Sequence, residues 1–375
     1  MVRAPHRGSD GTAGLAHHPR RSGMSLGVRS SSVPNRGHRL PGLASGAGHD
    51  PGGNNSPVPG CGGRMVAVST IAVVGAGVIG QTYAGLLADA GHDVSIVARG
   101  RRADQLRMSG IVLHRDGSTT RPRCRVVDTL AEARNAEVVM VAVRGEQLPS
   151  VQAEAAASLA PIVVCMSNPL GQREAFEQDV GAERTVFTFS GIGGLIADDG
   201  SVHYHSVRQQ PTVVDAAASA GAAVAELMGT TALAVHREHQ MASWLDTHSV
   251  FIAGIGAAVL TTENGAPGVS RSRERARQIV GAISEAFDAL QGHGVPIRPA
   301  ALRTIFGRVP TWFAARYWQR QFGGPLVQVS IAPHVLATRF TEFPQVAAHA
   351  LSLVGRDAPR FRSLVMPCAS PGHEA

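Results

Sequence analysis

Three glycines spaced as Gly75-x-Gly77-x-x-Gly80 follow directly on the apolar run Ile71-Ala72-Val73-Val74. This pattern is suited to holding a dinucleotide pyrophosphate. Gly75 permits a sharp turn off a strand, Gly77 lets backbone N–H groups reach the phosphates with no Cβ between, and Gly80 lets the next helix pack close to the sheet. The helix N-terminus adds partial positive charge toward the anion. Ala76, Val78 and Ile79 complete the loop expected to touch the cofactor. A second segment bears on which dinucleotide is held. NAD-preferring chains carry Asp or Glu at the end of the second strand, accepting from the ribose 2′-OH. Here that end reads Ala98-Arg99-Gly100-Arg101-Arg102. A guanidinium grips a 2′-phosphate bidentately, so NADP is the expected cofactor, with Arg99 as first contact and Arg101 or Arg102 in support.

The elements that must position these residues follow from hydrophobic periodicity. Short β-rich runs at 71–74, 94–98, 137–143, 162–166 and 184–189 alternate with helical stretches at 78–90, 102–108, 146–159 and 172–178. Alternation of this kind implies right-handed crossovers and a mostly parallel sheet. Residues 201–205 and 211–214 read as a late hairpin, and 216–228 as one more helix. After Arg237 the pattern is helical throughout: one long apolar helix over 238–262 containing Gly254 and Gly256, then 271–292, 300–306, 311–321 and 344–354. Mid-helix glycines cost stability, so this pair is expected to permit close helix contact or approach to a ligand. The expected fold is α/β, with an N-terminal Rossmann-type dinucleotide-binding domain and a C-terminal all-helical domain. The expected limits are a low-complexity tail at 1–64, the NADP-binding domain at 65–235, a helical substrate and dimerisation domain at 236–357 and a loose C-terminal tail at 358–375.

Of the net charge of +7, the tail carries +6: residues 1–64 hold eight Arg, two Asp and no Glu, and the rest of the chain adds +1. The remainder gives no electrostatic reason to invoke nucleic acid. Rich in Gly, Ser, Pro, His and Arg, the tail lacks the apolar surface needed to fold, and is expected to be either disordered or translated from an upstream start, with Met65 as the natural beginning. All 35 basic residues are Arg, which removes every lysine chemistry from the chain. Cys61, Cys124, Cys165 and Cys368 form no CxxC pair and have no His at metal-ligand spacing, so no metal is expected and a reducing cytoplasm is the simpler setting. The longest apolar run, 250–260, is about half of what a bilayer crossing needs, so no membrane association is expected.

The chain resembles the ketopantoate reductases (2-dehydropantoate 2-reductases) over Thr70 to about Gly265. The likeness is carried by the glycine turn with its strand, Ala90-Gly91-His92-Asp93-Val94, Val97-Ala98-Arg99-Gly100, Val141-Ala142-Val143-Arg144 and Ser167-Asn168-Pro169-Leu170-Gly171. The resemblance implies NADPH and substrate held between the two domains. It places Arg99 at the 2′-phosphate, Arg144 where a cofactor-contacting lysine is usual, and Asn168 at the asparagine of the family's N-G segment, with Pro169 in place of the glycine. In Ser243-Trp244-Leu245-Asp246 it places Asp246 at the catalytic lysine. Val250 and Gly254 fall on two substrate-binding asparagines, Asn264 matches a further one, and the family's C-terminal glutamate has no match around 325–329.

Reducing a 2-keto acid needs a donor to the developing alkoxide and a cation or amides for the carboxylate. An ionised Asp246 repels such an acid; a protonated one among apolar neighbours donates. The substrate is therefore expected to be a small carbonyl or alcohol other than ketopantoate. His239, seven residues before Asp246 on the expected helix, would share its face and offer an acid in the useful pH range. Asp246, Asn168 and His239 are the candidate catalytic residues and Asn264 the candidate substrate contact. His334 and Glu342, His203 and His205, and the Arg271 to Arg277 cluster have nothing in the sequence aiming them at a site. The alternative to an oxidoreductase is a dinucleotide-binding sensor or partner protein that has lost hydride transfer. The apolar content of the helical half is compatible with a homodimer through it.

Overall fold

Strands of almost purely aliphatic residues, buried on both faces, form the centre of the protein, and Ile71, Ala72 and Val73 have no exposure at all. The computed structural model describes residues 68–207 and 210–370; the tail at 1–64 and the last five residues lie outside them. In chain order the first half comprises β1 (Thr70–Val74), α1 (Val78–Asp89), β2 (Asp93–Val97), α2 (Gly100–Ser109), β3 (Leu113–Arg115), β4 (Ser118–Thr120), β5 (Arg125–Val127), β6 (Val138–Val141) and α3 (Leu148–Ala157). There follow β7 (Ile162–Cys165), α4 (Arg173–Val180), β8 (Thr185–Phe189), β9 (Ile192–Ile196), β10 (Val202–Ser206), β11 (Thr212–Asp215), α5 (Gly221–Gly229) and β12 (Val235–Glu238).

Eight strands make one sheet in the order β12-β11-β8-β7-β6-β1-β2-β5. All its pairings are parallel except β11 against β8. One face is covered by α1, α2 and α5 through Tyr83, Leu87, Leu106, Val224 and Met228. The other is covered by α3, α4 and the residues Met241, Trp244 and Leu245 of the next helix. A second, four-stranded sheet runs β4-β3-β10-β9. The expected hairpin of 201–205 with 211–214 is therefore corrected: β10 pairs with β9 and β3, whereas β11 joins the large sheet.

The helical half consists of α6 (Met241–Thr261), α7 (Gly265–Arg271), α8 (Arg273–Gly292), α9 (Ala300–Arg303), α10 (Thr311–Gly323), α11 (Ala332–Thr338), α12 (Glu342–Val354) and α13 (Pro359–Val365). The long helix expected from residue 238 begins later. Residues 235–238 form a strand paired in parallel with β11, and Glu238, wholly buried, holds Arg298 through four hydrogen bonds of 2.9 to 3.2 Å. The helix expected over 271–292 is likewise broken at Ser272, whose hydroxyl caps α8 by accepting from the Arg275 N–H at 3.1 Å. Nor is 358–375 loose as far as it is described: α13 buries Phe361 and Val365 in the helical core.

By length and mean hydropathy α6 could cross a membrane, but 67% of its apolar window is buried inside the protein. Its two glycines serve helix contact. A Cβ on Gly254 would lie 2.6 Å from the Ile283 side chain, and one on Gly256 would collide with the Phe343 ring. Because its first turns pack on the sheet and the rest lies in the helical core, α6 ties the two halves together.

Candidate functional site

Each glycine of the turn does separate work. Gly75 has φ +109°, and a Cβ there would sit 2.5 Å from the Ala142 carbonyl oxygen. A Cβ on Gly80 would collide with the Gly75 carbonyl oxygen, so the helix rests directly on the turn. Gly77 faces open space, with nothing within 4 Å of its would-be Cβ. It caps α1 without a side-chain hydrogen bond, and no acidic residue stands in the first turn. The first N–H groups of the helix, around Val78 and Ile79, thus lack an intrahelical partner and point out of the turn. Gln81, fully buried, braces the loop by donating from Nε2 to the Ala76 carbonyl at 2.8 Å. An open cradle with unclaimed N–H groups fits a dinucleotide pyrophosphate.

The neighbours of β1 in the sheet are β2 on one side and β6 on the other, which makes this the point where connections diverge and a crevice opens above the strand ends. On the β2 side, Arg99 begins α2. Its guanidinium is half-exposed, pairs with Glu154 of α3 and donates from Nε to the Asp128 carbonyl at 3.3 Å. Arg102 Nη1 donates to Gln105 at 2.6 Å, and Arg101 is exposed. No carboxylate stands in the five residues from Ala98 to Arg102.

On the other side, the loops after β6 and β7 touch. A Cβ on Gly145 would lie 2.7 Å from the Asn168 carbonyl oxygen, and Ser167 donates to the Val143 carbonyl at 2.7 Å. Arg144 precedes a tight turn at 145–147 and lies 3.9 Å from Glu146. Asn168 is partly buried and its Oδ1 accepts from the Leu170 N–H at 3.4 Å, which leaves its amide hydrogens free to donate.

Helices from the C-terminal half close over these loops. Asp246, in the second turn of α6, is partly buried, and among the described residues the one basic side chain within 4.0 Å of it is His349 of α12, with Oδ1 to Nε2 at 3.8 Å. His248 stacks on Trp244 with ring centres 5.0 Å apart and planes 8° apart, and Phe189 at the end of β8 covers it at 4.3 Å. Burial, with the His334 charge second, pushes His248 down to about 3, so its imidazole is neutral near pH 7. Glu342 is buried with Oε2 unpartnered and 3.7 Å from His334. Burial and the nearby Glu146 push its carboxyl up, opposed by Arg144 and the Gly145 N–H.

The structure thus puts the Arg144 and Asn168 loops side by side, links Asp246 to the second of them through His349, and adds His248, His334 and Glu342 nearby. It corrects two sequence-based candidates. His239 lies exposed in the turn before α6, not on the helix, because Glu238 is taken into the sheet. Asn264 caps α7 in the left-handed region, φ +60°, beyond the far end of α6. That end is about 20 Å along the helix from Asp246 at 1.5 Å rise per residue. Val250 has no exposure and Gly254 faces α8, so neither presents a surface to a ligand. Of the added residues, only His248 had a local signal, its four-residue spacing from Trp244 on one helix face. His334 and Glu342 reach the site because α11 and α12 fold back over the β6 loop.

Comparison with known proteins follows the same lines. Residues 71–218 match the family model of ketopantoate reductase PanE/ApbA. No curated protein matches the sequence. Among solved structures, a candidate ketopantoate reductase from Ralstonia solanacearum MolK2 is similar at TM-score 0.61 and 20% identity, covering 80% of this chain and 97% of that one. A D-mandelate dehydrogenase in complex with NADH and anilino(oxo)acetate is similar at TM-score 0.61 and 12% identity, over 80% and 96% of the two chains. The 2-dehydropantoate 2-reductase of Porphyromonas gingivalis W83 is similar at TM-score 0.58 and 14% identity, over 81% and 100%. At such identities the likeness is one of fold. Residues 71–218 are thus similar to the ketopantoate reductase PanE/ApbA family, and the chain shares the α/β-plus-helical fold of these solved structures.

Proposed function

We propose that this protein is an NADP-dependent oxidoreductase that moves hydride between the cofactor and a small carbonyl or alcohol other than ketopantoate. The open Gly77 cradle, backed by Gly75 and Gly80, carries the reading. When bound, the nicotinamide ring supplies or accepts the hydride. The N–H groups around Ala76 to Ile79 hold the pyrophosphate, and Arg99, at a strand end free of carboxylates, leaves Glu154 to grip the 2′-phosphate. Arg144 and Asn168 hold the nicotinamide half and orient the substrate carbonyl from the loops after β6 and β7.

Asp246 sets the substrate class. A carboxylate beside the reacting carbonyl disfavours a second carboxylate close to it, which argues against ketopantoate itself. The neighbouring fold of a D-mandelate dehydrogenase shows that this architecture is also used with NADH, so both cofactors belong in the test.

Fluorescence titration with NADPH and NADH, followed by oxidation assays against 2-keto acids, aldehydes and ketones, tests the proposal. Tighter binding of NADPH and turnover of at least one carbonyl class are expected. NADPH binding with no turnover on any class would instead favour a dinucleotide sensor, and preference for NADH would remove the role given to Arg99.

A further inference from the structure

Along α12, Glu342 and His349 are two turns apart and share a face, since seven residues return to nearly the same angle on a helix. The Glu342 end of that face meets the turn after β6, and the His349 end meets the loop after β7. The His349 ring lies so close to Gly171 that a Cβ there would be 3.2 Å from Nδ1. Its other nitrogen, Nε2, is 3.8 Å from the Asp246 Oδ1, and the two side chains are only 14% and 29% exposed. Among the described residues, Asp246 is the one carboxylate within 4.0 Å of this imidazole. The ring therefore has one nitrogen turned to a carboxylate and the other turned to the loop that carries Asn168.

That arrangement is what an acid–base histidine needs. At 3.8 Å the two atoms are at ion-pair rather than hydrogen-bond distance, so the carboxylate supports the imidazolium electrostatically and on a small closure orients the ring, while the opposite nitrogen exchanges a proton with a reacting oxygen. The other groups facing this region are less suited. His248 is held neutral, Glu342 and Glu146 lie by the β6 loop with Arg144, and His334 lies among Glu342, Glu146, Arg144 and His248, with no hydrogen bond or ion pair to Asp246 among the described residues. The chain has no lysine to do the work.

We propose that His349 is the proton donor and acceptor of the oxidoreductase reaction, through Nδ1, and that Asp246 is its positioning residue. The inference rests on the functional reading above. In the reducing direction the carbonyl carbon accepts the hydride from the reduced dinucleotide, forming a C–H bond while the C=O π pair moves onto oxygen. The Nδ1 proton of the His349 imidazolium passes to that oxygen to complete the alcohol, and the neutral imidazole left, protonated at Nε2, takes up one proton from bulk solvent, the proton that the overall reduction consumes. The carbonyl is reduced and the dinucleotide oxidised, with no other co-reactant. Asp246 thus acts on the proton transfer through His349, and its charge still lies near enough to disfavour a carboxylate beside the reacting carbonyl.

The test has two arms. In the first, histidine ring ¹⁵N spectra of the full-length protein without cofactor should show His349 protonated at Nε2 when neutral, and Asp246→Asn should abolish that preference. A ring protonated at Nδ1 in the wild type overturns the pair whatever the turnover. In the second, NADPH oxidation is followed with benzaldehyde and acetophenone, uncharged carbonyls, and with phenylglyoxylate as the carboxylate comparison. His349→Gln and His349→Ala should lower kcat by about 10²- to 10⁴-fold, as loss of a general acid does. NADPH affinity should stay unchanged, and added imidazole should restore part of the His349→Ala rate. Asp246→Asn should lower kcat less and displace the pH profile. Retention of wild-type kcat in both His349 variants, or a greater loss in Glu342→Gln, overturns the proposal. Absence of wild-type turnover on every carbonyl class counts against the functional reading, while the spectra still decide the pair.

Discussion

Arg99 at the carboxyl end of β2 is ion-paired with Glu154 on α3, so the guanidinium expected to meet a 2′-phosphate already has an anionic partner. Arg99 is half-exposed and Glu154 about one-third exposed, which limits the pair's worth to the range of surface ion pairs, about 0–1 kcal/mol. A phosphate carries more charge and more acceptor oxygens than a carboxylate and displaces it. Glu154→Gln should therefore raise NADPH affinity by up to about fivefold, the equivalent of 1 kcal/mol. NADH affinity should hardly change. Arg99→Asp should weaken NADPH binding by about 10- to 100-fold, in line with loss of a hydrogen bond to a charged group. Equilibrium fluorescence titration of both cofactors measures all of this, and an equal effect on NADH would show that Arg99 acts elsewhere.

The glycine turn separates fold from binding. The Cβ of a valine at Gly77 would meet no atom within 4 Å and φ there is −79°, so stability should stay within about 0.5 kcal/mol of wild type. Its side chain would fill the cradle, and dinucleotide affinity should fall at least about tenfold, the cost of losing one backbone hydrogen bond to a charged group. Gly80→Ala should do the reverse of the first effect, because its Cβ collides with the Gly75 carbonyl oxygen and the helix must move. Thermal unfolding of the two variants without cofactor, beside NADPH titration, distinguishes these outcomes.

What could be read from the chain was local chemistry. The glycine turn and Arg99 depend on neighbours within a few residues, and the aliphatic strands declare their burial by composition. Glu238 was misread as helical because the partner that keeps it in a strand, Arg298, stands sixty residues on. That misreading put His239 on α6 and made it the natural companion of Asp246. His349 fills that place from another helix, and no spacing rule connects the two. The supposed hairpin failed for a related reason: two adjacent β-rich runs can enter different sheets, and only the pairing partners β3, β8 and β9 decide which.

His248 gives the protein a pH dependence that can be measured without substrate. Burial against Trp244 and Phe189 puts it at about 3, below the ordinary value of 6.5. The unfolded chain takes up a proton as pH falls below about 6.5, whereas the folded one does not. This contribution to stability is thus complete above that range and declines as pH falls toward the folded value, by about 1.4 kcal/mol per pH unit. His248→Phe keeps a ring in the stack and removes the titration. Urea unfolding between pH 7 and pH 4 should show a shallower acid loss in this variant, and parallel curves would mean that the imidazole is protonated in place.

Glu238 and Arg298 join the end of the large sheet to the segment before α9. Glu238 has no exposure, and although burial raises its carboxyl, the Gln240 N–H and the Arg298 guanidinium outweigh this and hold it below the usual carboxylate range. Its stabilising contribution is therefore present above that range and lost as pH falls through the depressed value. Arg298→Met leaves the buried carboxylate with only the Gln240 N–H and, 3.7 Å away, His236, which should cost up to about 3–5 kcal/mol at neutral pH and progressively less in acid as Glu238 takes up a proton. Replacing both partners, Glu238→Leu with Arg298→Met, removes the unpaired charge and should recover much of that loss. Denaturant unfolding of the single and double variants checks this. A double variant as unstable as Arg298→Met would show that the guanidinium acts by packing against β12 rather than by neutralising the carboxylate.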